Sequence, residues 1–442
     1  MLNYPEAMLR TIFVLAIMGI GFVYAFQGAI YSLMFYLWIA YFRPEQWVWD
    51  PWVRSISLSW IAGVATVAAA LVSKKRWPVN VRVVLLALFL LQSLLSAMAS
   101  THSPDAWPHW IEFAKTIAIT YLIVVLTPDV STFRLVLMVI GLSLGFEAAK
   151  QGWVGLLTHP GETNTNDLPL LGDNNGIAVG MLMLVPILTT LAATATGRSE
   201  RMMFRFLAFG TVYRAIATYS RGGFIACAAL GAVYLFRSKR RLLASLAVAV
   251  SCLMIAPVMP TQFWDRMRTI DDASDNSSLG RLHFWRVAVA MANDNPLLGV
   301  GHDAYNATYD KYDSSHGDFG SARSVHSIWF GSFAELGYPG LVLFAAQLLL
   351  AFRAAARARA AARRIPGQAH LQHYAFGLEG ALVAFVVGGS FVPMQYNEMA
   401  WHVIGLTISL DGLARAALDS RQVSPPAVEG APVAGVLQGV PA

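Results

Sequence analysis

The stretch SVHSIWFGSFAELGYPG, residues 324–340, sets a histidine, His326, where a polar segment rich in Gly and Asp gives way to an apolar run. An imidazole near its ordinary pKa can take a proton from an attacking hydroxyl or orient it, and this one stands where water meets hydrocarbon. Arginines supply the complementary chemistry. Arg221, in TYSRGG (218–223), opens an apolar helix whose free N–H groups and partial positive charge join the guanidinium to make an anion site. Arg214 ends the preceding run, and Arg281 and Arg286 lie on an amphipathic stretch from which they can converge on the same anion. Spacing alone leaves two plainer readings open: a boundary histidine serving structure, and an interfacial arginine reaching for headgroups.

The elements that must position these groups are membrane helices. Of 442 residues, 56% are hydrophobic and 13% charged, and continuous apolar runs of about 20 residues cross hydrocarbon as helices. The runs predict an all-α polytopic membrane protein with about twelve transmembrane helices. They fall at 57–72, 81–99, 109–126, 131–150, 174–194, 203–218, 221–236, 242–258, 327–352, 373–391 and 398–416, preceded by 8–42, which fits either a hairpin or a helix broken near Gln27-Gly28. The chain divides into a bundle over 1–258, a large partly helical loop over 259–326, further spans over 327–418 and a disordered Pro/Gly-rich tail over 419–442. Basic segments 73–82, 197–205, 237–241 and 353–364 hold 4, 3, 4 and 5 Lys or Arg, whereas 100–110 and 391–398 hold none. The positive-inside rule then places the large loop outside the cytosol, with the bacterial inner membrane as the expected location and the periplasm as the active face. This topology accounts for the net charge of +6, and no basic run interleaved with aromatics points to nucleic acid. The first apolar run reads as a retained anchor. Cys227 and Cys252 read as packing residues within spans.

The large loop holds an amphipathic stretch, 279–301, with Leu282, Trp285, Val289 and Ala292 as its expected apolar face. Glu112 with Lys115 and Glu147 with Lys150 have the spacing of local ion pairs, and Glu335 lies about two and a half turns past His326, facing away from it. Asn174 and Asn175 fit either a helix cap or a glycan contact, with capping the plainer reading. Trp47, Trp49, Trp52, Trp107 and Trp110 fit either sugar stacking or an aromatic belt. No histidine pair has the spacing of a zinc site, so no metal and no cofactor is expected.

In order, YSRGGFIACAALG, GRLHFWRVAVAMANDNPLLGVGHDAY and VHSIWFGSFAELGYPGLVLF resemble the O-antigen ligase and polymerase superfamily, membrane glycosyltransferases of the GT-C type. YFRPEQWVWDPW (41–52) and GDNNGIA (172–178) are similar to the O-glycosylation ligases found with exosortase systems. The resemblance implies metal-independent transfer of a glycan from undecaprenyl diphosphate to a hydroxyl of lipid A-core at the periplasmic face. It matches Arg221 and Arg281 to the diphosphate-binding arginines and His326 to the family histidine. Ser327 stands where the family commonly has Asn, which leaves that position's role open; Trp285 joins Ser327, Asn174 and Asn175 as candidate glycan contacts. A diphosphate leaving group needs its charge held, which suits arginine, and a single displacement would invert the anomeric centre. Polymerase and protein O-oligosaccharyltransferase activities share this donor chemistry. A lipid-linked glycan transporter would instead spread its ionisable residues through the membrane depth.

Overall fold

The computed structural model describes residues 4–48, residues 55–237 apart from 165 and 169, and residues 276–423 apart from 366, with single positions between 238 and 275. Every regular element among them is helical. The open choice over 8–42 resolves as a hairpin. α1 (Tyr4–Ala25) and α2 (Ala29–Phe42) turn at Phe26–Gly28, so that Gly21 lies against Phe35 and Val14 against Val48. There follow α3 (Leu58–Val72), α4 (Val81–Ala99), α5 (Ser103–Leu126), α6 (Val130–Thr158), α7 (Asn174–Ala193), α8 (Arg198–Ile216), α9 (Arg221–Arg237), α10 (Asn276–Asp294), α11 (Tyr305–Tyr312), α12 (Ile328–Arg364), α13 (Ala369–Gly389) and α14 (Glu398–Val423).

Six of these helices, α4 to α7, α12 and α13, are long and apolar enough to cross a membrane. The helical membrane class is as expected, but the described helices do not reach about twelve crossings. α2 and α3 have 14 and 15 residues, short of the roughly 20 that span hydrocarbon. α8 carries Arg198, Glu200, Arg201 and Arg205 along its first half, and the expected span at 242–258 falls outside the described residues save Leu242, Ser245 and Leu246. The expected tail begins within α14, which continues to Val423; 424–442 lie outside the described residues.

α7 is the axis of the bundle. Its side chains are buried on every face from Gly176 to Ile187, the signature of a helix enclosed by others, and α6, α8, α9 and α13 pack around it. α6 and α8 meet at Gly152 and Gly210, where a Cβ on Gly152 would lie 1.9 Å from the Gly210 carbonyl oxygen; only glycine permits this approach.

A second, smaller core sits over the bundle end. It joins Phe284, Val287, Ala288 and Met291 of α10 to Tyr305 and Tyr309 of α11, Val325, and Ala334 of α12. This corrects the expected face of α10. Ala292 is buried and Trp285 half-buried, but Leu282 and Val289 are 49% and 36% exposed. The stripe through Phe284 is the one gripped by α11 and α12, and Leu282 and Val289 run along its margin. The core also crosses the boundary expected at 326/327, since Phe330 packs against it.

α12 breaks at Gly337 (φ 68°), two residues before Pro339, which has no N–H to donate. The carbonyls freed by the break find other donors. Ala334 and Glu335 oxygens accept from Val300 and Gly301 N–H at 2.9 and 3.3 Å. Ser96 and Gln92 of α4 donate to Glu335 and Leu336 at 2.6 and 2.8 Å, and Tyr338 N–H donates to Pro296 at 2.9 Å. The turn after α10 is thereby stitched to the break, which fixes α10 relative to the start of α12.

Candidate active site

Three helices begin at one place, and their first residues share a pattern. α7 starts with Gly172 (φ 68°) followed by the cap Asp173, α9 with Tyr219 (φ 53°) followed by Ser220, and α12 with His326 (φ 48°) followed by Ser327. In each, a left-handed residue turns the chain and the next side chain takes up an early N–H. Asp173 accepts from Gly176 at 2.9 Å, Ser220 from Gly223 at 3.1 Å and Ser327 from Phe330 at 3.5 Å. Two of the three left-handed positions hold a side chain with a Cβ, a conformation that costs about 1–3 kcal/mol and concentrates at functional sites. Ser220 also donates to Asn175 Oδ1 at 2.8 Å, tying α9 to α7.

These starts frame a cavity of about 550 Å³ lined by Asn175, Arg221, Arg281, Arg323 and His326, with Tyr219, Phe284 and Asp318 completing the wall. Phe391 joins its two family-matched arginines: it packs on Gly222, next to Arg221, and its ring lies 5.9 Å from the Arg281 guanidinium. Phe284, one turn from Arg281, stands 6.2 Å from the His326 ring. Three guanidiniums against one carboxylate, with helix N-termini around them, give the cavity a positive field suited to a polyanion. Burial pushes the His326 imidazole below its ordinary range; Arg281 pushes it further, Asp173 opposes, and Arg323 adds to the fall. The neutral ring, with Nδ1 buried and without a partner among the described residues, is the form that accepts a proton.

Other candidates stand elsewhere. Arg214 is fully buried and donates to Gln151 Oε1 at 2.7 Å and to the Asn164 and Asn166 carbonyls at 3.2 and 2.6 Å, so it props the 160s loop and does not line the cavity. Arg286 is exposed outside the cavity, more than a turn along α10 from Arg281. Asn174 is not among the lining residues, and Asp173, not either asparagine, caps α7. Trp285 lies behind the wall, its Nε1 donating to Val325 at 3.1 Å and its ring stacked on Phe330 at 5.0 Å. Ser327 is buried as the cap of α12. Glu335 accepts from Gln395 at 2.9 Å, away from His326. Lys150 pairs with Glu147 at 2.7 Å and Lys115 with Glu112, the local ion pairs that the spacing suggested.

Residues 206–345 match the family model described as O-antigen ligase. That segment belongs to the O-antigen ligase/polymerase superfamily. The O-antigen ligase domain thus runs from α8 past the break in α12 and contributes Arg221, Arg281, Arg323 and His326, while Asn175 falls in residues 8–194, which match a family of unknown function (DUF5935). The superfamily implies a glycosyltransferase-like ligase or polymerase activity and, in general terms, a lipid-linked glycan and an acceptor. No curated protein matches the chain.

Arg323, Tyr219 and Asp318 were not legible as site residues. Arg323 carries the one available hint, three residues before His326 in a segment that no helix claims. A second cavity, of about 330 Å³, opens beyond the 171–175 turn and includes His109, Glu112, His302, Asp303 and Tyr396. There His109 Nδ1 lies 3.2 Å from Asp303, and burial, with His109 adding, pushes His302 down to about 3.

Proposed function

We propose that the protein is an O-antigen ligase that transfers a glycan from undecaprenyl diphosphate to a hydroxyl of lipid A-core at the periplasmic face of the inner membrane. One observation carries the reading: within the O-antigen ligase domain, three arginines and one imidazole depressed below its ordinary range share a cavity at the end of the bundle. The acceptor hydroxyl attacks the anomeric carbon, its proton passes to His326, and the bond from that carbon to the diphosphate oxygen breaks. The departing lipid diphosphate keeps the electron pair. Arg221 and Arg281, with Arg323, hold the charge that grows on the leaving oxygens, a task for which fixed, pre-oriented cations are effective. His326 remains neutral at neutral pH because burial and the arginines disfavour its charged form, and the released proton then leaves the cationic cavity readily. The attack from the face opposite the leaving group inverts the anomeric centre.

The test mixes purified protein with undecaprenyl-diphosphate glycan and lipid A-core in the presence of chelator. A shift in lipopolysaccharide size supports ligation and metal independence together. A ladder growing on the carrier would show a polymerase, transfer to an added protein acceptor would show an O-oligosaccharyltransferase, and no covalent product from folded protein would favour transport.

A further inference from the structure

The opposite end of the bundle holds a second cationic cavity, of about 280 Å³, among α4, α12 and α14. Arg82 is 6% exposed; its Nη2 donates to the Ile404 carbonyl at 3.3 Å and to Thr407, while Nε and Nη1 are buried with no partner among the described residues. Arg357 and Arg415 share one carboxylate. Arg357 binds Asp411 through two bonds of 3.1 and 2.9 Å, and Arg415 reaches the same group at 2.8 Å. Three guanidiniums face one carboxylate, an excess that no described lining residue cancels. The cavity also adjoins the first turn of α4, where Asn80 accepts from the N–H groups of Arg82 and Val83 at 3.0 and 3.1 Å and the helix dipole adds positive potential. Its remaining wall is Val81, Leu350 and Ile408.

We propose that this cavity binds a phosphate group, supplied by the headgroup of an anionic phospholipid. One phosphate oxygen takes up an unpartnered N–H of Arg82 while another reaches Arg415, whose side chain is 65% exposed. Val81 and Leu350 belong to helices long and apolar enough to cross a membrane, and an apolar wall beside the cations favours a lipid over a soluble phosphate. Basic pockets between helix ends are a recurrent way of holding anionic lipids. A lipid seated here clasps α4 to α12 and α14; farther along, α4 also bonds to α12 beside the break at Gly337.

The experiment measures the unfolding temperature and lipid retention of the detergent-purified full chain, by thermal shift and native mass spectrometry, with phosphatidylglycerol, phosphatidylcholine and inorganic phosphate as probes. Phosphatidylglycerol should raise the unfolding temperature and remain bound, and the other two should not. Arg82→Gln and, separately, Arg415→Gln should each weaken retention about tenfold, as expected for losing one charge-assisted hydrogen bond. Because Arg415 is exposed, its variant folds even if Arg82→Gln does not. Equal responses to both lipids, or full retention by Arg415→Gln in a folded protein, overturn the site. An equal response to inorganic phosphate overturns the lipid assignment.

Discussion

Two cavities open at the same end of the bundle, and His326 of one and His302 of the other are suited to different things. His326 is half-buried among arginines at the start of α12 and faces about 550 Å³ of open space. His302 is 1% exposed, with its ring 4.0 Å from Tyr396 and 5.4 Å from Phe113. Burial is the first cause of the lowered pKa in both, but the degree of burial separates a group open to a cavity from one enclosed and neutral in an aromatic cluster. A displaced imidazole pKa is therefore no mark of catalysis on its own; an open face and neighbouring cations are what distinguish His326.

The sharpest way to break this comparison is to remove each ring. His326→Ala should lower the transfer rate by about 10²–10⁴-fold, the usual range for a general base, while His302→Phe, which keeps the aromatic packing, should stay within about tenfold of wild type. Comparable losses in the two variants, measured as lipopolysaccharide size shift per minute, would end the distinction.

The arginines allow a parallel contrast. Arg214→Ala leaves Gln151 and two loop carbonyls without their donor, at about 1–3 kcal/mol for each buried group that stays unsatisfied. A marked fall in unfolding temperature should follow. Arg221→Ala should cost activity first, so the ranking of the two variants by unfolding temperature and by turnover should reverse.

Acid sharpens the comparison further. The folded-state pKa of His302, about 3, lies below the unfolded value of about 6.5, so the unfolded chain binds more protons in between. Its contribution is complete above about 6.5 and is lost as pH falls toward 3, on the order of a few kcal/mol in all. His302→Phe should flatten the acid limb of an unfolding-temperature profile, and an unchanged limb would contradict the burial of this ring as neutral.

For His326 the expected change is smaller and concerns rate. Arg281 helps to hold its pKa down, so Arg281→Gln should move the acid limb of residual activity to higher pH. The smallest effect belongs to Ser327. Ser327→Ala should cost about 1 kcal/mol as a lost cap. Ser327→Asn, the residue common in the superfamily, should restore it because Asn caps as well, and an activity loss with Asn would point to a role beyond capping.

Much of the fold could be read from hydropathy because a lipid-facing or enclosed helix must be apolar along its length. The starts of α4, α7, α9 and α12 fall within a residue or so of the runs that predict them. The reading failed where a second constraint intervened. On α10 the period was visible, but which stripe would be gripped depended on α11 and α12, so Leu282 and Val289 were placed inside. On α8 the helix end that holds Arg214 was clear, whereas the loop that takes up its donors comes from the segment between α6 and α7.

The sequence by itself determined the helical membrane class and the superfamily motifs, and it singled out Arg221, Arg281 and His326 as candidates, because residue type and order carry hydrophobicity, charge and local capping. Tertiary structure alone decided that the starts of α7, α9 and α12 meet, that Arg323 joins them and that Arg214 and Arg286 do not. Those outcomes rest on close approach between segments far apart in the chain, such as the glycine contact of α6 with α8 and the break at Gly337 that binds the turn after α10. No single stretch of sequence encodes such a contact, since both partners must be in place before either surface has a meaning.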